Sequence, residues 1–213
     1  MESDSGYSAI IGLFGVLIGS AITVVSQWLL ERKKSSKAGE YLAVVVSGAL
    51  EEFADKCIEV LDDDGLSYGQ RDELGCLSSQ VNPPRFSPEK HNVDWKSIHS
   101  PLLNDLFDFS RKCAAADRRI AYVYEYVADR PDYEDFFEAR RDEYGSLGLE
   151  AVELSRRLRI HAKLRERSEA EFGLVETLRA KIDSAKISKE ARLDRGRLLS
   201  EATLPSLQSP AET

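Results

Sequence analysis

Two residues on one predicted helix combine types that do chemistry on phosphate esters: Arg156, a permanently charged planar donor, and His161, the side chain that exchanges a proton near neutral pH. An arginine that positions a phosphate, with a histidine as general acid or base, is a minimal apparatus for phosphodiester cleavage. The same stretch carries a basic stripe, Arg156, Arg159, Lys163 and Arg167, spaced three to four apart on one helical face and suited to an anionic partner or to plain solvation. Acidic residues cluster at Asp62, Asp63 and Asp64 with Glu73 further on, but a calcium loop needs glycine where Ser67 stands and an apolar residue where Gly69 stands. Cys57, Cys76 and Cys113 include no Cys-x-x-Cys pair, and no Glu-x-x-His occurs, so neither a cysteine-rich zinc site nor a di-iron bundle is expected. No metal site and no cofactor follow from these patterns.

Arg156 and His161 fit Arg-x(4–6)-His, and in this the chain resembles the HEPN ribonucleases. That resemblance implies an all-helical protein in which motifs from two subunits assemble a metal-independent RNA-cleaving site, with Arg156 holding phosphate and His161 acting as acid or base. The residue after the arginine is often polar in that family, whereas here it is Arg157, and Arg85 with His91 repeats the spacing. With 29 basic against 37 acidic residues the net charge is -8, which repels a phosphate backbone and makes nucleic acid an unlikely partner. The preferred reading of His161 is therefore structural, at the edge of a helical seam.

The elements that would position these residues begin with a span. Ser5 to Leu30 contains no charged side chain, and at ~1.5 Å per residue Tyr7 to Trp28 covers roughly 31 Å, close to a hydrocarbon core, with an aromatic at each boundary. Residues 8–30 are accordingly predicted to form a transmembrane helix after a short tail, 1–7. Glu2 and Asp4 precede the span while Arg32, Lys33, Lys34 and Lys37 follow it, so the positive-inside rule places the N-terminus outside and the rest in the cytoplasm. This polarity is the reverse of a secretory signal, and the expected location is the plasma membrane of a bacterium, the inner membrane, in a single pass. Tyr7, Trp28, Arg32, Lys33, Lys34 and Lys37 would anchor the interfaces. Gly12, Gly15, Gly19 and Thr23 share a face on which backbones can approach closely, suggesting pairing with a second copy or another membrane protein.

Residues 31–202 read as a cytoplasmic helical bundle. Val46, Leu50, Phe53, Cys57 and Val60 recur at helical spacing and carry the first helix to about Asp62. The valine-rich Tyr41 to Val46 has strand propensity but reads better as helix packed on several sides. Three glycines and three prolines make 63–99 a long irregular loop, whose Tyr68, Phe86 and Trp95 suggest packing back onto the bundle. Ser100-Pro101 signals a helix start, followed by the seam Leu102, Leu106, Phe109, Cys113, Ala116, Ile120, Val123 and Val127. A third helix from about Asp132 places Phe137, Tyr144, Leu147, Ala151, Leu154, Leu158 and His161 on a seam, with acids early and bases late as the helix dipole favours. A fourth starts at the capping box Ser168 to Glu171, or is continuous with the third, and turns Phe172, Val175, Leu178, Ile182 and Ala185 inward. Its signal weakens after Ile187, and 203–213 reads as a disordered tail.

The predicted fold class is all-α: one N-terminal transmembrane helix and an antiparallel bundle of about four helices. This layout resembles small bacterial single-pass inner-membrane proteins with a cytoplasmic helical bundle. The expected function is a non-enzymatic scaffold or interaction module that recruits or regulates a cytoplasmic protein. An anchored HEPN-like ribonuclease, or an accessory subunit of a transporter or channel, are the alternatives.

Overall fold

The computed structural model describes residues 4–165 and 173–203, with side chains described over 22–165 and 173–198. Four helices and no strand are found among them: α1 (Asp4–Asp62), α2 (Ser100–Tyr126), α3 (Glu134–His161) and α4 (Leu174–Thr203). The predicted helical bundle is thus present. The expected span at 8–30 is helical, but the side chains of 8–21 fall outside the described set, and among the described residues no helix is long and apolar enough to cross a membrane.

Each helix exists for local reasons. Along α1 the seam Val46, Leu50, Phe53, Cys57 and Val60 is buried as the spacing predicts. Leu42, Ala43 and Val46 also face inward, whereas Tyr41 and Val44 remain exposed, so this stretch packs on one side rather than several. In α2 proline at the start costs no hydrogen bond, because the first N–H groups of a helix have no partner anyway, and Leu102 to Ile120 form the buried stripe. The seam fades at Val123 and ends before Val127, which is exposed. After His161 the chain turns, with Lys163 in the left-handed region (φ 55°) and Leu164 N–H bonded to Arg159 O at 2.9 Å, so α3 and α4 are separate helices. The predicted cap at Ser168 and the inward Phe172 lie outside the described residues, as does the tail beyond Thr203.

The bundle is organised around α3. This helix packs against α1, α2 and α4 and runs antiparallel to all three: Arg159 meets Glu51 and Arg140 meets Asp63 on α1's side, Arg157 meets Asp105 and Arg119 meets Glu143 across to α2, and Lys189 reaches Asp142 from α4. Consequently α1 and α2, consecutive in sequence, run parallel, each antiparallel to α3. A parallel succession needs a crossover that returns the chain along the bundle, and from Gly39 to Asp62 that distance is about 35 Å. The long loop performs this return. It starts with Gly65 against Phe137, passes Phe86 against Phe109 (ring centroids 5.4 Å), sets Trp95 edge-on to Phe107 (5.5 Å) and brings Ser97 onto Gly39. Tyr68, expected to pack, is fully exposed at a turn tip.

Because α3 is surrounded, one apolar stripe is insufficient, and small residues fill its second face. A Cβ on Gly148 would lie 3.0 Å from Leu178 and 3.1 Å from Cys57, and one on Gly145 would lie 2.8 Å from Ile182, so these glycines set how closely α1, α3 and α4 approach. Gly65, at φ 76° and hard against the Phe137 ring, tolerates no side chain on either count. The early acids of α3 do more than complement its dipole: Glu134 and Glu138 bind Arg192 at 2.7 and 2.6 Å, which holds α4 in place well beyond Ile187.

Candidate functional site

Of the three aspartates at the end of α1, Asp62 and Asp64 are exposed and Asp63 is turned inward. Asp64 accepts Leu66 N–H at 2.9 Å, Asp62 pairs with Lys181, and Asp63 is buried. The Asp63 carboxylate accepts the N–H groups of Gly65, Gln80 and Val81, each at 3.1 Å, and pairs with Arg140 at 3.1 Å. Arg140 Nη2 also donates to Val81 O at 2.8 Å. One ion pair thereby fixes the end of α1, both ends of the loop's first excursion and the start of α3. At the other end Glu51 Oε1 accepts from Ser155 Oγ (2.8 Å) and Arg159 Nε (2.9 Å), a second mostly buried bridge between α1 and α3.

Arg159 is therefore turned inward, and the basic stripe is divided. Arg156 forks onto Glu153 one turn back, at 2.9 and 2.8 Å, and that bond holds the Glu153 carboxyl below its usual range. Lys163 is exposed, and Arg167 lies outside the described residues. His161 is exposed rather than part of the seam, with its ring 6.2 Å from that of His99. Five residues of regular helix set Arg156 and His161 about 140° apart around the axis, so they address different surroundings.

What does converge is the end of the bundle where α1 enters. Lys33, Lys34 and Lys37 project from α1 and make no ion pair among the described residues. Beside them a cavity of about 410 Å³ is lined by Ser36, Gly39, Glu40, Ser97, His161 and Lys163, with the His99 ring 6.2 Å from that of His161. Further toward the N-terminus α1 leaves the bundle entirely. Ile22, Val24, Val25, Trp28, Leu29 and Leu30 are exposed around the whole helix, Trp28 carrying the Arg32 guanidinium over its ring at 4.0 Å.

The sequence matches no family model and no curated protein, and the fold matches no solved structure. The chemistry rests on this chain's own geometry. Of the predicted membrane-facing residues, Thr23 lies at the surface, while the side chain of Tyr7 and the positions Gly12, Gly15 and Gly19 lie outside the described side chains. Cys57 and Cys113 are buried in the core, where desolvation raises both thiols, Cys113 to about 12, so neither serves as a nucleophile. Among the described residues no three His, Cys, Asp or Glu side chains are grouped to hold a metal ion. The Asp63–Arg140 bridge was not legible in the sequence, since its partners are 77 residues apart and the acidic run that contains Asp63 does not point to Arg140.

Proposed function

We propose that this protein is a membrane-anchored interaction module: α1 fixes it in the bacterial inner membrane with the short N-terminus outside, and the bundle presents a docking surface to a cytoplasmic partner protein. The observation that carries the reading is the continuity of α1 from the charge-free segment into the core, unbroken from Asp4 to Asp62. Over 22–30 the described side chains, most of them large and apolar, are exposed around the whole helix, a surface that water does not tolerate and that lipid covers. Next along the helix come Arg32, Lys33, Lys34 and Lys37, whose charges favour the cytoplasmic, anionic leaflet. Without a hinge between anchor and core, the bundle holds a fixed attitude to the bilayer, which suits a scaffold. Gly12, Gly15, Gly19 and Thr23 would supply the face for a second copy or another membrane protein.

A reporter active only in the cytoplasm, fused after Thr213, should be active, and the protein should stay with membranes through alkaline carbonate extraction. Activity of a periplasm-only reporter at that position overturns the orientation. Release by carbonate overturns the anchor.

A further inference from the structure

Opposite the anchored end, a cavity of about 600 Å³ opens between the loop, the second half of α2 and the first half of α3. Three arginines, Arg85, Arg130 and Arg140, are among the residues that line it. Their donors are largely unused. Arg85 is exposed and makes no hydrogen bond or ion pair among the described residues. Arg130 spends only Nε, on the Tyr133 hydroxyl at 3.0 Å. Arg140 is 4% exposed, only its Nη2 is bonded, and its Nε is buried without a partner. The acceptors that line the same space are already engaged. Asp72 takes the N–H groups of Leu74 and Cys76 at 2.9 and 2.7 Å, and Asp117 takes the Tyr144 hydroxyl, whose proton is held by burial and by that carboxylate.

Planar guanidinium forks with spare N–H groups match the oxygens of a phosphate or a carboxylate. Flat apolar surface stands beside them. Tyr124 stacks on Tyr133 (5.4 Å, 25°) and meets Phe136 edge-on at 5.0 Å, so part of the wall is aromatic. We propose that this cavity is a binding site for a small planar molecule bearing an oxyanion, its charged group on Arg85, Arg130 and Arg140 and its ring against Tyr124 and Phe136.

The test is isothermal titration of the full chain in mild detergent with three probes: adenosine monophosphate, benzoate and inorganic phosphate. Adenosine monophosphate or benzoate should bind, and whichever binds tighter identifies phosphate or carboxylate as the preferred oxyanion, with inorganic phosphate weaker for lack of a ring. Replacing the two exposed arginines together, Arg85→Ala with Arg130→Ala, should weaken binding at least tenfold while leaving the melting temperature unchanged. Arg156→Ala, near the far end of α3 where its side chain bonds Glu153, should leave the affinity unchanged. Absence of binding by all three probes at roughly 10 mM overturns the proposal. Equal affinity in the double variant, or inorganic phosphate binding as tightly as the ring-bearing probes, overturns it too.

Discussion

Removing the carboxylate at the end of α1, Asp63→Ala, should damage this fold more than any surface charge change. Its side chain is 1% exposed and that of Arg140 is 5% exposed, so the substitution leaves a guanidinium in a nearly dry environment with only the Val81 carbonyl to bond. Breaking a buried pair from one side costs about 3–5 kcal/mol, most of it the uncompensated charge. The N–H groups of Gly65, Gln80 and Val81 lose their acceptor as well, which places the effect in the upper part of that range. For a domain of this size about 1 kcal/mol moves the melting temperature by ~2–4 °C, so a loss of about 4–5 kcal/mol gives a fall of about 8–20 °C. Thermal melting followed by far-ultraviolet circular dichroism on the full chain in detergent measures it. Arg119→Ala serves as the control, because its bond to Glu143 lies at the surface and such pairs contribute about 0–1 kcal/mol. Adding Arg140→Met to Asp63→Ala removes the stranded charge, so the double variant should be more stable than Asp63→Ala alone. A loss no greater than the control's, or a double variant that is the least stable of the set, refutes the argument from burial.

Gly148→Val should destabilise by roughly 1–3 kcal/mol through overpacking against Leu178 and Cys57, measured by urea denaturation, whereas Gly196→Ala, with open space around it, should be neutral or slightly stabilising. Thiol titration at pH 8 should find Cys57 and Cys113 unreactive in the folded protein, since each is buried and its ionisation lies well above that pH, and all three cysteines should react once the chain is unfolded. His161→Ala should change the melting temperature by no more than about 2 °C, as expected for an exposed side chain, and neither parent nor variant should cleave mixed RNA in detergent or nanodiscs. Cleavage that disappears in the folded variant would show His161 to be catalytic.

The sequence by itself determined the elements whose causes are local. Apolar residues at steps of three and four set the inner face of α1 from Val46 to Val60 and of α2 from Leu102 to Ile120, and Ser100-Pro101 marked where α2 begins. Glycines and prolines marked 63–99 as irregular, and both of its outcomes at Phe86 and Trp95 followed from the cost of leaving large rings in water. The tertiary structure alone decided how these pieces are arranged. That α2 runs parallel to α1 depends on the path of the loop, and helical periodicity carries no information about direction. That α3 is the hub depends on three neighbours at once, which is why Gly145 and Gly148 are buried beside the apolar stripe and Arg140 and Ser155 are buried although polar. The pairings of Glu51 with Arg159 and of Asp63 with Arg140 span 108 and 77 residues, and these charged residues read as surface until packing excludes water around them. Local hydrogen bonding and periodicity act over one or two turns, so they are written in the chain. Desolvation and charge pairing act between surfaces that meet only after folding, and they decide which of those residues become structure and which remain available for a ligand.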